Sequence, residues 1–247
     1  MLRFASNFPQ GRFCNVLMQN IGLSVLGKKY NLKCAYDWNS KNGHKFSIDS
    51  CLQKNFVFYD GGRSLNGVPI KYSEFSGPFL EDLLEKEEVF EPIEYEGFFQ
   101  KKCLLYGQEK FISDCIIKND TEHHNQVFVH VRLGDRENSG PGYEYYAKVL
   151  DSINFEGGFV SSDSPDNTIV KNIISSYNLR LCEDLNFQEI ISFASKFEHR
   201  IVTGGSSGWI IGYLGNNNNI YYVKNKYSKH IKYWPDEMFD TEKWRGC

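Results

Sequence analysis

Short apolar runs alternate along the chain with longer stretches in which apolar residues recur at helical spacing. In the first half this pattern predicts strands at residues 2–8, 33–36 and 56–59, and helices at 15–29 and 79–89. The acid-rich stretch 81–96 predicts a solvated face around the second of these helices. The first half therefore has the pattern of an α/β unit.

The second half alternates more regularly. The pattern predicts strands at 126–132, 158–161, 200–203 and 220–223, and helices at 143–153, 164–177, 186–196 and 207–214. Strands separated by helical stretches of about 10–15 residues are typical of βαβ units and of a doubly wound, largely parallel sheet. The polar stretch 118–125 predicts a break between two small α/β halves, residues 1–120 and 121–247.

Composition and charge exclude several classes of protein. The chain has 247 residues, of which 41% are hydrophobic and 15% aromatic, so wholesale disorder is excluded. A net charge of −3 argues against a general nucleic-acid binder. No apolar run approaches the ~20 residues of a membrane span, and the N-terminal residues have the pattern of a strand rather than a signal peptide. These features predict a cytoplasmic protein.

The metal-ligating residue types are scattered. Seven cysteines form no C-x-x-C pair, and six histidines are not at ligand spacing from them or from each other. No D-x-D triplet occurs, so the carboxylate pair that commonly holds a metal on a sugar-nucleotide diphosphate is absent. We expect no metal and no cofactor.

Three loops follow predicted strands, at the strand ends where ligands bind in open α/β sheets. The first contains Gly11, Arg12, Phe13 and Asn15, and its helix-start amides together with Arg12 suit an anion. The alternative is that Asn15 only caps the helix.

The second loop begins where a buried strand runs into His130, Arg132 and Asp135. An unpaired charge is costly in apolar surroundings, so Arg132 needs a partner. That partner is either Asp135 or a phosphate group, whose oxygens suit the bidentate guanidinium.

The third loop, residues 203–209, is a glycine-rich turn that carries the hydroxyls of Ser206 and Ser207 into a helix. It matches neither the P-loop nor G-x-G-x-x-G, but its amides and hydroxyls form an anion cradle. Together with Arg132 this turn predicts a diphosphate site. Asp163 follows another strand, in a segment that either caps the next helix or contacts the ligand.

Four segments resemble, in order, the motifs of fucosyltransferases. Residues 11–19 resemble the G-R-x-x-N-x-x-x-Q opening of α-1,2-fucosyltransferases and the G-R-F-G-N opening of protein O-fucosyltransferases. Residues 130–135 resemble their H-x-R-x-G segment, and 159–164 resemble the strand ending in S/T-D. Residues 184–214 resemble the last motif, in which a D-L helix and a strand lead into an S-S/T turn and an aromatic helix.

The resemblance implies a GT-B-like fold with two small Rossmann-like halves and the donor site in the cleft. The N-terminal half is then the acceptor side, and the C-terminal half binds the nucleotide sugar. The last segment is a candidate to pack back on the N-terminal half. The implied reaction is an inverting, metal-independent transfer of a sugar, with GDP-fucose as the expected donor and a glycan or lipid-linked acceptor.

The resemblance also implies a role for each matching residue. Arg132 matches the arginine that grips the donor diphosphate, and His130 belongs to the same donor-binding motif. The loop of Gly11, Arg12 and Phe13, with Asn15, matches the segment that faces the donor across the cleft. Ser206 and Ser207 match the hydroxyl turn at the phosphates, and Asp163 lies in the segment near the nucleoside.

The sequence departs from the family at three positions, Cys14, Leu133 and Ile210, which bear more on GDP-fucose as donor than on glycosyl transfer. The base is open between Asp135, Glu137 and the departing phosphate, and Asp135 has the alternative role of orienting Arg132.

Three other functions fit the same residues: a transferase of this fold with another nucleotide sugar, a non-catalytic sugar-nucleotide-binding module, and a membrane-surface adaptor. The adaptor hypothesis, like peripheral contact of an enzyme with a membrane, depends on a basic and aromatic stripe with Lys224, Lys226, Lys229 and Lys232. The oligomeric state has no signature in the sequence.

Overall fold

The structure is a computed structural model, and it describes residues 4–7, 11–36, 70–73, 79–85, 93–97, 99, 123–134, 140–214, 219–223, 239 and 243–247. The chain divides into two compact units, Met1–Gln108 and Glu109–Cys247. The sequence places this boundary at residues 120/121, and the acceptor and donor roles of the halves stay predictions. The predicted strand 56–59 and the basic stripe 224–232 lie outside the described residues.

The first unit contains a four-stranded parallel sheet in the order β2-β1-β4-β3. Its strands are β1 (Phe4–Asn7), β2 (Lys33–Ala35), β3 (Ile70–Ser73) and β4 (Ile93–Glu96), and its helices are α1 (Phe13–Tyr30) and α2 (Leu80–Glu85). The buried side of α1 includes Leu17, Ile21 and Leu26, which are the residues whose spacing predicts this helix. The sequence did not predict β3 or β4. The expectation of a solvated face across 81–96 is wrong at Tyr95, which is fully buried.

The second unit contains a six-stranded parallel sheet in the order β10-β9-β8-β5-β6-β7. Its strands are β5 (His123–Val131), β6 (Gly157–Ser162), β7 (Arg180–Leu181), β8 (Phe197–Val202), β9 (Asn219–Tyr222) and β10 (Trp244–Gly246). Its helices are α3 (Tyr143–Leu150), α4 (Thr168–Tyr177), α5 (Phe187–Ala194) and α6 (Ser206–Tyr213). The predicted α/β architecture with parallel strands is confirmed.

The central strand β5 has both faces buried, as a parallel sheet requires. Alternation along the strand places Val127, Val129 and Val131 in a core that includes residues of α3 and α4. Phe128 takes the opposite face, where its ring lies 6.2 Å from that of Phe193 on α5. His130 follows at the same period and therefore belongs to this second face.

The end of the chain forms the edge strand β10, where Trp244 stacks against Trp209 of α6 with ring centroids 6.4 Å apart. These last residues belong to the sheet of the second unit, and the packing of this segment on the first half stays a prediction. In the part of the chain that the structure describes, no helix is long and apolar enough to cross a membrane.

Candidate functional site

The strand order of the second unit reverses around β5. From β5 the chain continues through β6 and β7 on one side, and then through β8, β9 and β10 on the other. Open α/β sheets bind ligands outside the carboxyl ends of their strands at such a switch point. The segments that follow β5, β6 and β8 carry Arg132, Asp163 and Ser207, so three of the predicted motifs lead to one edge of one sheet.

His130 connects three of these elements. It is buried at the end of β5, with Nδ1 2.9 Å from Ser161 Oγ on β6 and Nε2 3.4 Å from Ser207 Oγ on α6. Burial lowers the pKa of His130 to about 4; the nearby positive charge of Arg132 acts in the same direction, and Asp163 opposes it. The imidazole is therefore neutral near pH 7, and it acts as a hydrogen-bonding bridge rather than a cation.

Arg132 reaches the same hydroxyl from the residue after β5. Its Nη1 donates a hydrogen bond to Ser207 Oγ at 3.2 Å, and the side chain is only partly buried. His130, Arg132 and Ser207 thus form one hydrogen-bonded group at the start of α6. Asp135, the predicted partner or base, lies outside the described residues, as does Glu137.

Asp163 holds the backbone that follows Arg132. Its Oδ1 accepts hydrogen bonds from the amides of Leu133 at 2.8 Å and Gly134 at 3.1 Å. The other carboxylate oxygen lies so close to Gly134 that a Cβ there would be 2.6 Å from it. The helix-capping alternative for this segment is wrong, because Asn167 is the N-cap of α4 and accepts from the Ile169 amide at 2.9 Å. The predicted position of Asp163 near a nucleoside stays a prediction.

Two glycines allow the tight turn before α6: Gly205 is the N-cap of the helix, and Gly208 lies within the helix. Gly205 is the N-cap of α6 with φ +99°, a backbone conformation that disfavours other residues. A Cβ on Gly208 would lie 1.8 Å from the carbonyl oxygen of Thr203, so the turn closes tightly on the helix. Gly205 has no side chain to cap the helix. Helix α6 begins with the buried residues Ser206 and Ser207, which lie at its positive end.

The loop before α1 in the first unit also contains a glycine with a positive φ. Gly11 has φ +79°, and a Cβ there would lie 2.2 Å from Asn15 Nδ2. Helix α1 begins at Phe13, which is buried, with the exposed Arg12 as its N-cap, so the alternative that Asn15 is the helix cap is wrong. The first turn of α1 has no acidic residue, so no carboxylate of that turn neutralises the positive end of the helix.

Two contacts of the candidate site were not predicted from the sequence. Ser161 pairs in register with His130 across β5 and β6. The ring of Phe187, the first residue of α5, lies 6.0 Å from that of His130. For Ser161 the missing information is the strand register, because it sets which residues of neighbouring strands lie side by side.

Solved structures similar to this chain support its fold. No family model matches the chain, and no curated protein matches it in sequence. Among solved structures, POFUT1 in complex with GDP is similar with a TM-score of 0.54 at 12% identity, covering 89% of this chain and 98% of that chain. POFUT1 in complex with GDP-fucose gives a TM-score of 0.50 at 11% identity, covering 89% and 97%.

The E. coli heptosyltransferase WaaC with ADP is similar with a TM-score of 0.50 at 8% identity, covering 100% of this chain and 93% of that chain. These neighbours are GT-B glycosyltransferases, and the predicted GT-B-like α/β class is therefore confirmed at the level of fold. At such low identities the likeness extends to the fold alone.

Proposed function

We propose that this protein is an inverting, metal-independent glycosyltransferase that takes a sugar from a nucleotide diphosphate, with GDP-fucose as the donor. The observation that carries the proposal is the group of His130, Arg132 and Ser207 at the positive end of α6. A guanidinium, a hydroxyl and helix-start amides are the donors that suit a diphosphate.

The proposed role of this group follows from where charge develops. When the bond between the sugar and the diphosphate breaks, its electron pair stays on the leaving phosphate oxygen. Arg132 and the hydroxyls of Ser206 and Ser207 stabilise that growing negative charge, and the Ser207 hydroxyl is already held in position by His130. The acceptor hydroxyl attacks the anomeric carbon from the opposite side, which inverts its configuration, and its proton goes to Asp135 or to the departing phosphate.

The loop at the start of α1 is proposed as a second anion-binding element. The exposed Arg12 side chain and the α1 N-terminus supply positive charge, and Gly11 and Asn15 shape the turn. An Arg12→Ala variant should weaken donor binding less than loss of Arg132, because an exposed charge is screened by solvent.

GDP-fucose is favoured as donor by the order of the four motifs and by the likeness to a protein solved with GDP-fucose. The departures at Leu133 and Ile210 keep another nucleotide sugar as the second candidate, and a neighbour solved with ADP has the same fold. We propose that the acceptor is a glycan or a lipid-linked molecule and that the transfer takes place in the cytoplasm.

A donor panel tests this proposal. GDP should raise the melting temperature more than UDP or ADP, because a ligand that binds only the folded state stabilises it. GDP-fucose with a mixed glycan acceptor should release free GDP. Binding without release in the presence of acceptors would indicate a non-catalytic binding module, and absence of binding by all three nucleotides would overturn the proposal.

Metal removal tests the chemistry separately. We propose that the diphosphate charge is stabilised by Arg132, by the hydroxyls of Ser206 and Ser207 and by the first amides of α6. The sequence has no D-x-D triplet. EDTA should therefore leave the rate of transfer nearly unchanged. A strict requirement for manganese would contradict the metal-independent reaction.

A further inference from the structure

Arg200 is a fully buried arginine to which neither the motifs nor the proposed reaction assign a role. It lies on β8, and its Nη1 donates hydrogen bonds to the carbonyl oxygens of Ile211, at 3.2 Å, and of Leu214. Both carbonyls belong to the C-terminal end of α6, the helix whose other end carries Ser206 and Ser207.

The end of α6 needs such a donor. The last four carbonyls of a helix have no partner within the helix, and solvent normally supplies one. All eight residues of α6 are buried, and its C-cap Leu214 is buried and extended, so the chain turns away from the helix there. A guanidinium supplies hydrogen bonds together with a positive charge at the negative end of the helix. Burial lowers the pKa of Arg200 to about 10, which leaves it charged at neutral pH.

Arg200 and His130 hold opposite ends of the same helix. Arg200 pairs in register with Phe128 on β5, two residues before His130, and alternation places all three side chains on one face of the sheet. His130 contacts Ser207 at the start of α6, and Arg200 contacts its last carbonyls. An eight-residue helix is about 12 Å long, so the two contacts fix its position along its own axis as well as its distance from the sheet.

We propose that Arg200 is a positioning residue for the diphosphate site and acts through α6. It holds the helix so that the hydroxyl of Ser207 and the first-turn amides face the same diphosphate as Arg132, and its charge favours an anion at the far end of the helix. Arg200 does not touch the ligand. This inference rests on the proposed function, because it assigns the control of diphosphate affinity to a residue outside the site.

The test compares a nucleoside diphosphate with its nucleoside. Calorimetry gives the Kd of GDP and ligand-observed NMR gives that of guanosine, for the wild type, Arg200→Met and Arg200→Lys. We expect the Met variant to bind GDP at least about ten-fold more weakly with guanosine affinity unchanged, because only the phosphates meet α6. The Lys variant keeps the charge with a single nitrogen, and it should lie between the two. If UDP binds in place of GDP, then UDP and uridine are the probes.

Arg180→Met is the matched control. Arg180 is an exposed arginine of the same unit that lies over the ring of Phe159, so its loss removes the same charge away from α6. Its Kd for GDP should stay within two-fold of the wild-type value.

The outcomes separate the two claims. A folded Arg200→Met or Arg200→Lys variant that binds GDP as tightly as the wild type overturns the role of Arg200 and leaves the proposed function standing. Equal weakening of GDP and guanosine also overturns it, since that marks a general structural effect. If the Met variant does not fold, the Lys variant decides by the same criteria. A wild-type protein that binds no nucleoside diphosphate overturns both claims.

Discussion

Arg132 donates a hydrogen bond to the hydroxyl of Ser207 at 3.2 Å, although 75 positions separate the two residues in sequence. The pairing of β5 with β8 produces this proximity, since Arg132 follows the first strand and the turn before Ser207 follows the second. The bond joins two motifs that are separate in the sequence into one hydrogen-bonded group, to which we assign the binding of a diphosphate. Changes that move either partner should therefore affect the same property, the affinity for a diphosphate.

Gly208→Ala should disrupt the packing of α6 against the turn that precedes it. The added methyl group would lie 1.8 Å from the Thr203 carbonyl oxygen, a backbone atom, so the turn and α6 must move apart. We expect a loss of about 1–3 kcal/mol in the free energy of unfolding, together with weaker binding of GDP.

Gly157→Ala is the matched control for this prediction. No atom lies within 4 Å of a Cβ at Gly157, at the start of β6, so unfolding free energy and GDP affinity should stay near their wild-type values. Urea unfolding and calorimetry measure both. Equal behaviour of the two alanine variants would contradict the close approach of Gly208 to the Thr203 carbonyl oxygen.

Asp163 should contribute to stability and to GDP binding through the backbone amides whose hydrogen bonds it accepts. Asp163→Ala removes the acceptor of the Leu133 and Gly134 amides, and we expect a loss of about 1–3 kcal/mol of stability together with weaker GDP binding. Asp163→Asn keeps an oxygen in the same place and should lose less of both. Thermal unfolding and calorimetry compare the variants. If Asp163→Ala retains wild-type stability and affinity, the carboxylate does not position the segment after Arg132.

The buried His130 should make the free energy of unfolding depend on pH in the acidic range. Its pKa is about 4 in the folded chain, whereas an unfolded histidine has a pKa of about 6.5. Between these values the unfolded state binds the proton and the folded state does not. The free energy of unfolding therefore falls as the pH drops from 6.5 towards 4, in total by on the order of 3 kcal/mol, and His130 adds no pH dependence above that range.

His130→Gln isolates this contribution. Burial also lowers the pKa of His123 and of His199, so the wild-type profile contains their effects in the same direction. Urea unfolding at pH 7 and pH 5 should show a smaller drop in the variant than in the wild type. Equal drops would mean that His130 does not titrate as a buried neutral group.

The apolar pattern predicted most of the second unit, because β5 is buried on both faces, β6 and β8 contain buried apolar residues, and the helices between them have clear periodicity. It missed β7 and β10, which have two and three residues and are too short for a periodic signal. It also missed β4, whose alternation of glutamate with Ile93 and Tyr95 was obscured by the surrounding acidic residues. Burial of Tyr95 against Phe79 and Phe99 comes from tertiary packing, which local pattern does not record.

Within the candidate site, residue types and strand ends indicated Arg132 and the serine turn, and the resemblance to fucosyltransferase motifs added His130 and Asp163. Their connections were not predictable. Asp163 accepts hydrogen bonds from backbone amides and does not cap the next helix. Arg200 donates to carbonyls at a helix end that is buried only because the helix packs on the sheet. Both roles need distances between elements that are remote in sequence.

The affinity of Arg132→Ala for the donor nucleotide tests the central claim most directly. Calorimetric titration with GDP, alongside the melting temperature and the rate of transfer from GDP-fucose, should show a folded variant with greatly weakened binding. Its rate should fall about a hundred- to a thousand-fold, the typical effect of losing one preorganised electrostatic contact. Arg132→Lys should recover little, since a point charge does not reproduce the planar fork. A folded Arg132→Ala protein with wild-type GDP affinity and turnover would contradict the assignment of the donor site.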